Sequence, residues 1–154
     1  MDTLRFDRDG HLTPYEAIET NWESFVNMFG WNEHRQSLLE LLRLLCTELT
    51  TLFPEEYTIW VDGSFVTRKD RPNDLDVVFI LPAERYEVAE NELRLLRNQF
   101  AGLDVYFIKL IEEGEPNYFL YISDRIEWLF QFTKTRPDRY TRRKQPKGFI
   151  QLRW

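Results

Sequence analysis

A chain of 154 residues, 43% hydrophobic and 30% charged, has the length of one compact soluble domain with a core of its own. No apolar run approaches the roughly 18 to 20 residues that would span a bilayer, because the leucine-rich stretch 38–45 is broken by Glu40 and Arg43; this excludes an integral helical membrane protein. The net charge of −6 hides an asymmetry, since residues 134–154 hold eight basic side chains against Asp138 alone and stand at +7, leaving −13 on the rest.

Residues 1–10 carry Asp2, Asp7 and Asp9 and lack the apolar centre of a secretory signal, so a cytoplasmic protein is expected. After Pro14, apolar residues at Ala17, Ile18, Trp22, Phe25, Val26 and Met28 recur near helical spacing and predict a first helix over residues 15–28. Asn32 is placed to cap a second, whose stripe of Leu38, Leu39, Leu41, Leu42, Leu44, Leu45, Leu49 and Leu52 runs until Pro54. The lone Cys46 cannot form an internal disulfide and sits in that stripe as a small buried hydrophobe. Residues 57–61 and 77–81 are β-branched and aromatic between Gly, Pro, Asn and Asp, which predicts two buried strands. Residues 83–100 return to helical spacing, Gly102 ends that helix, and 104–108 form a third strand. Residues 118–122 fit either a fourth strand or the start of a helix through Phe132, and 148–152 a short terminal strand.

The basic run from residue 134 reads as a C-terminal tail. Such a cluster either docks on the acidic body or meets a polyanion such as nucleotide phosphates or RNA, with Arg139, Arg142, Arg143, Lys144 and Lys147 as the candidate RNA-binding set. Tyr140, Phe149 and Trp154 interleave with it, which serves base stacking or plain packing.

Chemistry concentrates where the first predicted strand runs into Asp62-Gly63-Ser64 and, after nine intervening residues, Asp74-Leu75-Asp76 opens the second. Residues two apart on a strand face the same side, so Asp74 and Asp76 point together. Two such carboxylates repel unless a divalent cation lies between them, and their hard oxygens suit Mg²⁺ or Mn²⁺. Gly63 allows a tight turn, and Ser64 with its neighbouring amides can donate to a phosphate. An EF-hand is excluded, because residues 70–76 lead into neither the Gly at loop position six nor the closing Glu. Asp62 is assigned a supporting role, and His11 and His34 lack metal-ligand spacing.

The series Trp60-Val61-Asp62-Gly63-Ser64, nine residues, then Asp74-Leu75-Asp76, with Asp104 opening the next strand after a helix, resembles the DNA polymerase beta-type nucleotidyltransferase superfamily. The resemblance covers residues 57–108, and the short length is similar to minimal nucleotidyltransferases, including antitoxin-like and phage-defence members. It implies an α/β (α+β) nucleotidyltransferase fold, a mixed sheet with helices packed on it, over a single domain 1–154 with N-terminal helices in 14–53 and the basic tail at 134–154. It also implies transfer of a nucleoside monophosphate from an NTP, ATP foremost, to a hydroxyl of a protein or RNA acceptor. In that scheme Asp74, Asp76 and Asp104 hold Mg²⁺ or Mn²⁺ and carry catalysis. Gly63 and Ser64 bind phosphates, and Arg68, Lys69 or Arg71 neutralise the leaving pyrophosphate. The alternative is a non-catalytic binding module, an antitoxin-like partner of a toxin or an RNA-binding protein.

Overall fold

The computed structural model describes residues 4–154; Met1, Asp2 and Thr3, the start of the stretch weighed as a signal, lie outside the described residues. It is a mixed α+β fold. A hairpin of β1 (Arg5–Phe6) and β2 (Leu12–Thr13) leads through β3 (Ala17–Glu19) to α1 (Trp22–Phe29) and α2 (Glu33–Leu52). Strand β4 (Thr58–Asp62) and a 3-10 turn (Gly63–Val66) precede β5 (Leu75–Pro82), α3 (Ala83–Val88), α4 (Glu90–Gln99) and β6 (Leu103–Leu110). Helix α5 (Tyr118–Phe132) and strand β7 (Phe149–Arg153) complete the chain.

One five-stranded sheet in the order β3-β7-β4-β5-β6 organises the molecule, parallel at its two edges and antiparallel between. Alternation along the strands sends side chains to two cores. Ile59, Val61, Val77, Phe79, Ile150 and Leu152 join the larger one with Phe25, Phe29 and the leucines of α2 and α4. Trp60, Val78, Ile108 and Phe149 face the other way and are covered by Phe132, Trp128 and Leu129 of α5. The acids of the candidate site share this second face, just beyond the end of the α5 cover.

The central strands, the Asn32 cap and the helical alternative for 118–132 agree with the sequence reading, the Asn32 side chain accepting from Arg35 N at 2.8 Å. Three expectations are corrected. The first helix does not start at Tyr15, because residues 17–19 pair in parallel with 149–151 and Asn21 caps α1 by accepting from Ser24 N at 2.8 Å. The helix over 83–100 is two, broken at Ala89. The basic segment is not a tail: its end is β7, hydrogen-bonded on both sides inside the sheet, and its start, 133–147, is a hairpin closed by Thr135 N to Gln145 O at 2.8 Å and Lys147 N to Thr133 O at 2.9 Å.

Truncation after Gln145 is therefore expected to abolish the cooperative thermal transition seen by circular dichroism, whereas a solvated tail would be dispensable. Ile150→Ala, which hollows a fully buried position, should cost about 2–5 kcal/mol in urea unfolding.

Candidate functional site

The carboxylates are aligned by strand register. Asp62 on β4 stands opposite Asp76 on β5, and Asp76 opposite Asp104 on β6, so one row across three strands carries three acids on one face. Asp74, one residue before β5, completes the group: oxygens of Asp74, Asp76 and Asp104 all lie within 4.8 Å of one another. Burial pushes Asp76 up to about 6, with Asp74 and Asp104 adding like charge. Asp74 is also raised, by burial and then by Asp104. A cluster of this kind is a site that a hard divalent cation would relieve.

Asp62 is set apart by its partner. It is almost fully buried, and its Oδ2 accepts from Lys147 Nζ at 2.5 Å, while Oδ1 has no partner. Burial pushes its carboxyl up to about 7, against the pull of the Lys147 ammonium. Lys147 is thus removed from the candidate RNA-binding set, since its side chain is buried against the site floor.

Gly63 is required where it stands. Its φ is +79°, and a side chain there would run into the Asp76 carboxylate, so only glycine brings the turn against the acids. The 3-10 turn places Ser64, and the following loop Arg68 and Lys69, around a cleft of about 880 Å³ that also holds Asp62, Asp74 and Asp76. Asp104 lies on the adjoining groove, with Tyr106 shared between the two. Arg71 does not line the cleft; Lys144 does, while Arg139, Arg142 and Arg143 stand outside it.

The loop is held by the first turn of α2. Arg35, fully buried, donates to the carbonyls of Phe29 (3.1 Å), Phe65 (2.7 Å), Thr67 (2.8 Å) and Lys69 (2.5 Å). Its guanidinium lies 3.6 Å from the Trp31 ring centre and 4.8 Å from that of Phe65. Burial lowers its pKa to about 10. Trp31 Nε1 donates to Asp70 Oδ1 at 3.1 Å, Asn32 Nδ2 to the Asp70 carbonyl at 2.8 Å and His34 Nε2 to the Pro72 carbonyl at 2.5 Å. From the other side, Arg68 N donates to Gly10 O at 3.1 Å, which ties the β1-β2 hairpin to the same loop.

Several cleft residues escaped the sequence reading. Lys134 and Arg136 come from the 133–147 hairpin, and Arg136 acts on Asp74 from across the cleft. Trp128 and Phe130 come from α5, and His11 from the N-terminal hairpin. The basic spacing after Phe132 was the one signal that pointed to any of them.

Fold and site together define a mixed α+β domain whose sheet carries an acid-floored cleft rimmed by cations. Residues 4–153 match the model of a family of unknown function, DUF6932, and the chain belongs to that family. No curated protein and no solved structure matches the chain significantly.

Two outcomes follow from this geometry. A carboxyl whose folded pKa lies above its ordinary 3.8 disfavours folding once ionised, so Asp76 destabilises the metal-free protein above about pH 6 and that penalty fades as pH falls towards 3.8. Asp76→Asn is thus expected to melt higher than the wild type at neutral pH without metal, with the gap closing as the solution is acidified. Arg35→Met leaves four carbonyls without their donor, each worth about 1–3 kcal/mol when buried. A loss of about 3 kcal/mol or more in urea unfolding is expected.

Proposed function

We propose that the protein is a metal-dependent nucleotidyltransferase that moves a nucleoside monophosphate from an NTP, ATP foremost, to a hydroxyl of an RNA or protein acceptor. The observation that carries this reading is the meeting of Asp74, Asp76 and Asp104 within 4.8 Å, beside a loop built on Gly63 and Ser64. The order strand, Gly-Ser turn, Asp-x-Asp strand, helices, Asp-bearing strand fits the nucleotidyltransferase fold.

The donor set is all carboxylate oxygen, which fits Mg²⁺ or Mn²⁺, and Asp74, Asp76 and Asp104 would hold the ion. Bound there, it would supply charge neutralisation of the triphosphate and acidification of the acceptor hydroxyl. The chain's own groups do the rest. Gly63 and Ser64 present amide and hydroxyl donors to the phosphates, and Arg68, Lys69 and Arg136 lie where charge on the leaving group can be met. The acceptor oxygen forms its bond to the α-phosphorus as the bond to pyrophosphate breaks. Asp104, the most exposed of the three acids, accepts the hydroxyl proton.

A non-catalytic module has one observation in its favour. Lys147 is a built-in cation beside Asp62 that also acts on Asp76, and it supplies part of the positive charge a metal would bring.

The deciding experiment incubates the protein with Mg²⁺ and each α-labelled NTP in cell extract, alongside Asp74→Ala plus Asp76→Ala. Label transferred to RNA or protein by the wild type, and reduced at least about a hundredfold in the double variant, is the expected result, a loss of the order seen when a group stabilising the transition state is removed. Mg²⁺ with ATP should also raise the wild-type melting temperature by mass action. Neither label nor thermal shift would select the non-catalytic module.

A further inference from the structure

We propose that the 133–147 hairpin is a binding arm for single-stranded nucleic acid, which it guides to the acid-floored cleft. The proposal rests on the transferase reading only in making that strand the acceptor; binding itself does not depend on turnover.

The first ground is uncompensated charge. The ion pairs among the described residues join Arg8 with Asp9, His11 with Asp7, Arg43 with Glu40, Lys147 with Asp62 and Arg153 with Glu56. Among the described residues Lys134, Arg136, Arg139, Arg142, Arg143 and Lys144 form no such pair, and Arg136 meets Asp74 only through its field across the cleft, so the cluster as a whole is not docked on the acids described. The hairpin's own acid is occupied elsewhere. Asp138 Oδ1 accepts from Tyr140 N at 2.8 Å and Thr141 N at 2.7 Å, closing the tip; its single charge offsets one of the six cations without an ion pair and leaves the hairpin strongly positive. Six like charges are held together by backbone bonds, Asp138 N to Arg143 O at 2.8 Å and Arg142 N to Asp138 O at 2.9 Å among them, and their repulsion is relieved by a ligand that brings several anionic charges at once.

The second ground is the distribution of rings. Tyr140 stands at the tip, 88% exposed among Arg139, Arg142 and Arg143. Phe130, 52% exposed, has Lys134 Nζ at 4.5 Å and Lys144 Nζ at 5.3 Å from its ring centre, so a flat apolar surface and two ammonium groups meet at the cleft mouth. Cations interleaved with exposed rings match a ligand that alternates phosphates with flat bases. An acidic peptide would satisfy the charges but leave the rings unused. A membrane surface cannot follow the charges inward, because Lys134, Arg136 and Lys144 line the concave wall. A cleft of about 880 Å³ suits a nucleotide and the end of one strand rather than the flank of a duplex.

The test is fluorescence anisotropy of the full chain with a labelled mixed-sequence oligoribonucleotide, its deoxy counterpart, the matching duplex, polyglutamate and phosphatidylserine vesicles. Single strands are expected to bind best, with log K falling against log salt at a slope steeper than about −2, three or more phosphates at roughly −0.7 each. Arg139→Glu with Arg143→Glu should weaken binding at least about tenfold and flatten the slope by about 1.4. Tyr140→Ala should cost about fivefold or more through lost stacking. These side chains are exposed, so unchanged melting temperatures confirm folding. No binding at low salt, an unchanged Tyr140→Ala, or equal affinity for duplex, polyglutamate or vesicles would overturn the arm. Asp74→Ala plus Asp76→Ala should leave strand binding intact. Strand binding without any response to Mg²⁺ and ATP would sink the transferase reading and leave the arm standing; the reverse result would sink the arm alone.

Discussion

The Arg35 guanidinium sets the geometry of the cleft more than any other single group. A buried cation without a paired carboxylate survives only where its donors are fully used, and Arg35 achieves this with four main-chain carbonyls, three of them on the loop from Phe65 to Lys69. Those carbonyls have few alternatives. The loop lies between strands and forms no ladder, so its main-chain carbonyls turn to a side chain of α2 for their donors. Helix capping and loop fixation are coupled at the same turn: Asn32 accepts from Arg35 N while its amide donates to Asp70 O, and Trp31 stacks on the guanidinium and binds Asp70. Ser64, Arg68 and Lys69 therefore keep their places relative to the sheet because one helix N-terminus grips the chain around them.

The sheet performs the complementary task. Register places Asp62, Asp76 and Asp104 in one row, so like charges are imposed by backbone pairing that each strand's apolar residues stabilise on the opposite face. Burial makes the conflict sharper, since it raises both Asp76 and Asp62. Part of it is answered internally by Lys147. Around Asp74, Asp76 and Asp104 the answer is only partial: Lys147 acts on Asp76, and Arg136 and Lys69 act on Asp74, yet both acids stay raised.

The acid cluster was legible in the sequence because its determinants are local: a glycine turn, a nine-residue spacing and a carboxylate at each strand entry. The second helix was legible for the same reason, its cap and leucine period lying within one segment. What escaped depends on distant partners. Residues 17–19 carry a helical apolar pattern, yet they form a strand because 149–151 offer an open edge. Lys147 looked like one more cation in a basic run, and its meaning comes from Asp62, 85 residues earlier. Arg35 lay at the start of a leucine-rich helix where a solvated arginine is ordinary, and nothing local marks the loop 30 to 34 residues later that it enters.

The position of Lys147 also explains how opposite charges coexist at short range. It stands at the root of the basic hairpin, where its amide donates to Thr133 O, and its side chain turns inward to Asp62. The root of the hairpin is thus neutralised against the site floor, while its remaining cations form no ion pair among the described residues and stand along the cleft wall and at the tip. An arm attached through a solvated root would be free to swing over the acids and cancel them, closing the cleft electrostatically. Anchored instead by one buried ion pair and by β7, which continues directly into the sheet, the hairpin keeps its free cations at the rim and the free carboxylates on the floor. That separation leaves both charge sets largely in place, rim and floor meeting through the field of Arg136 and Lys69 on Asp74 rather than through ion pairs.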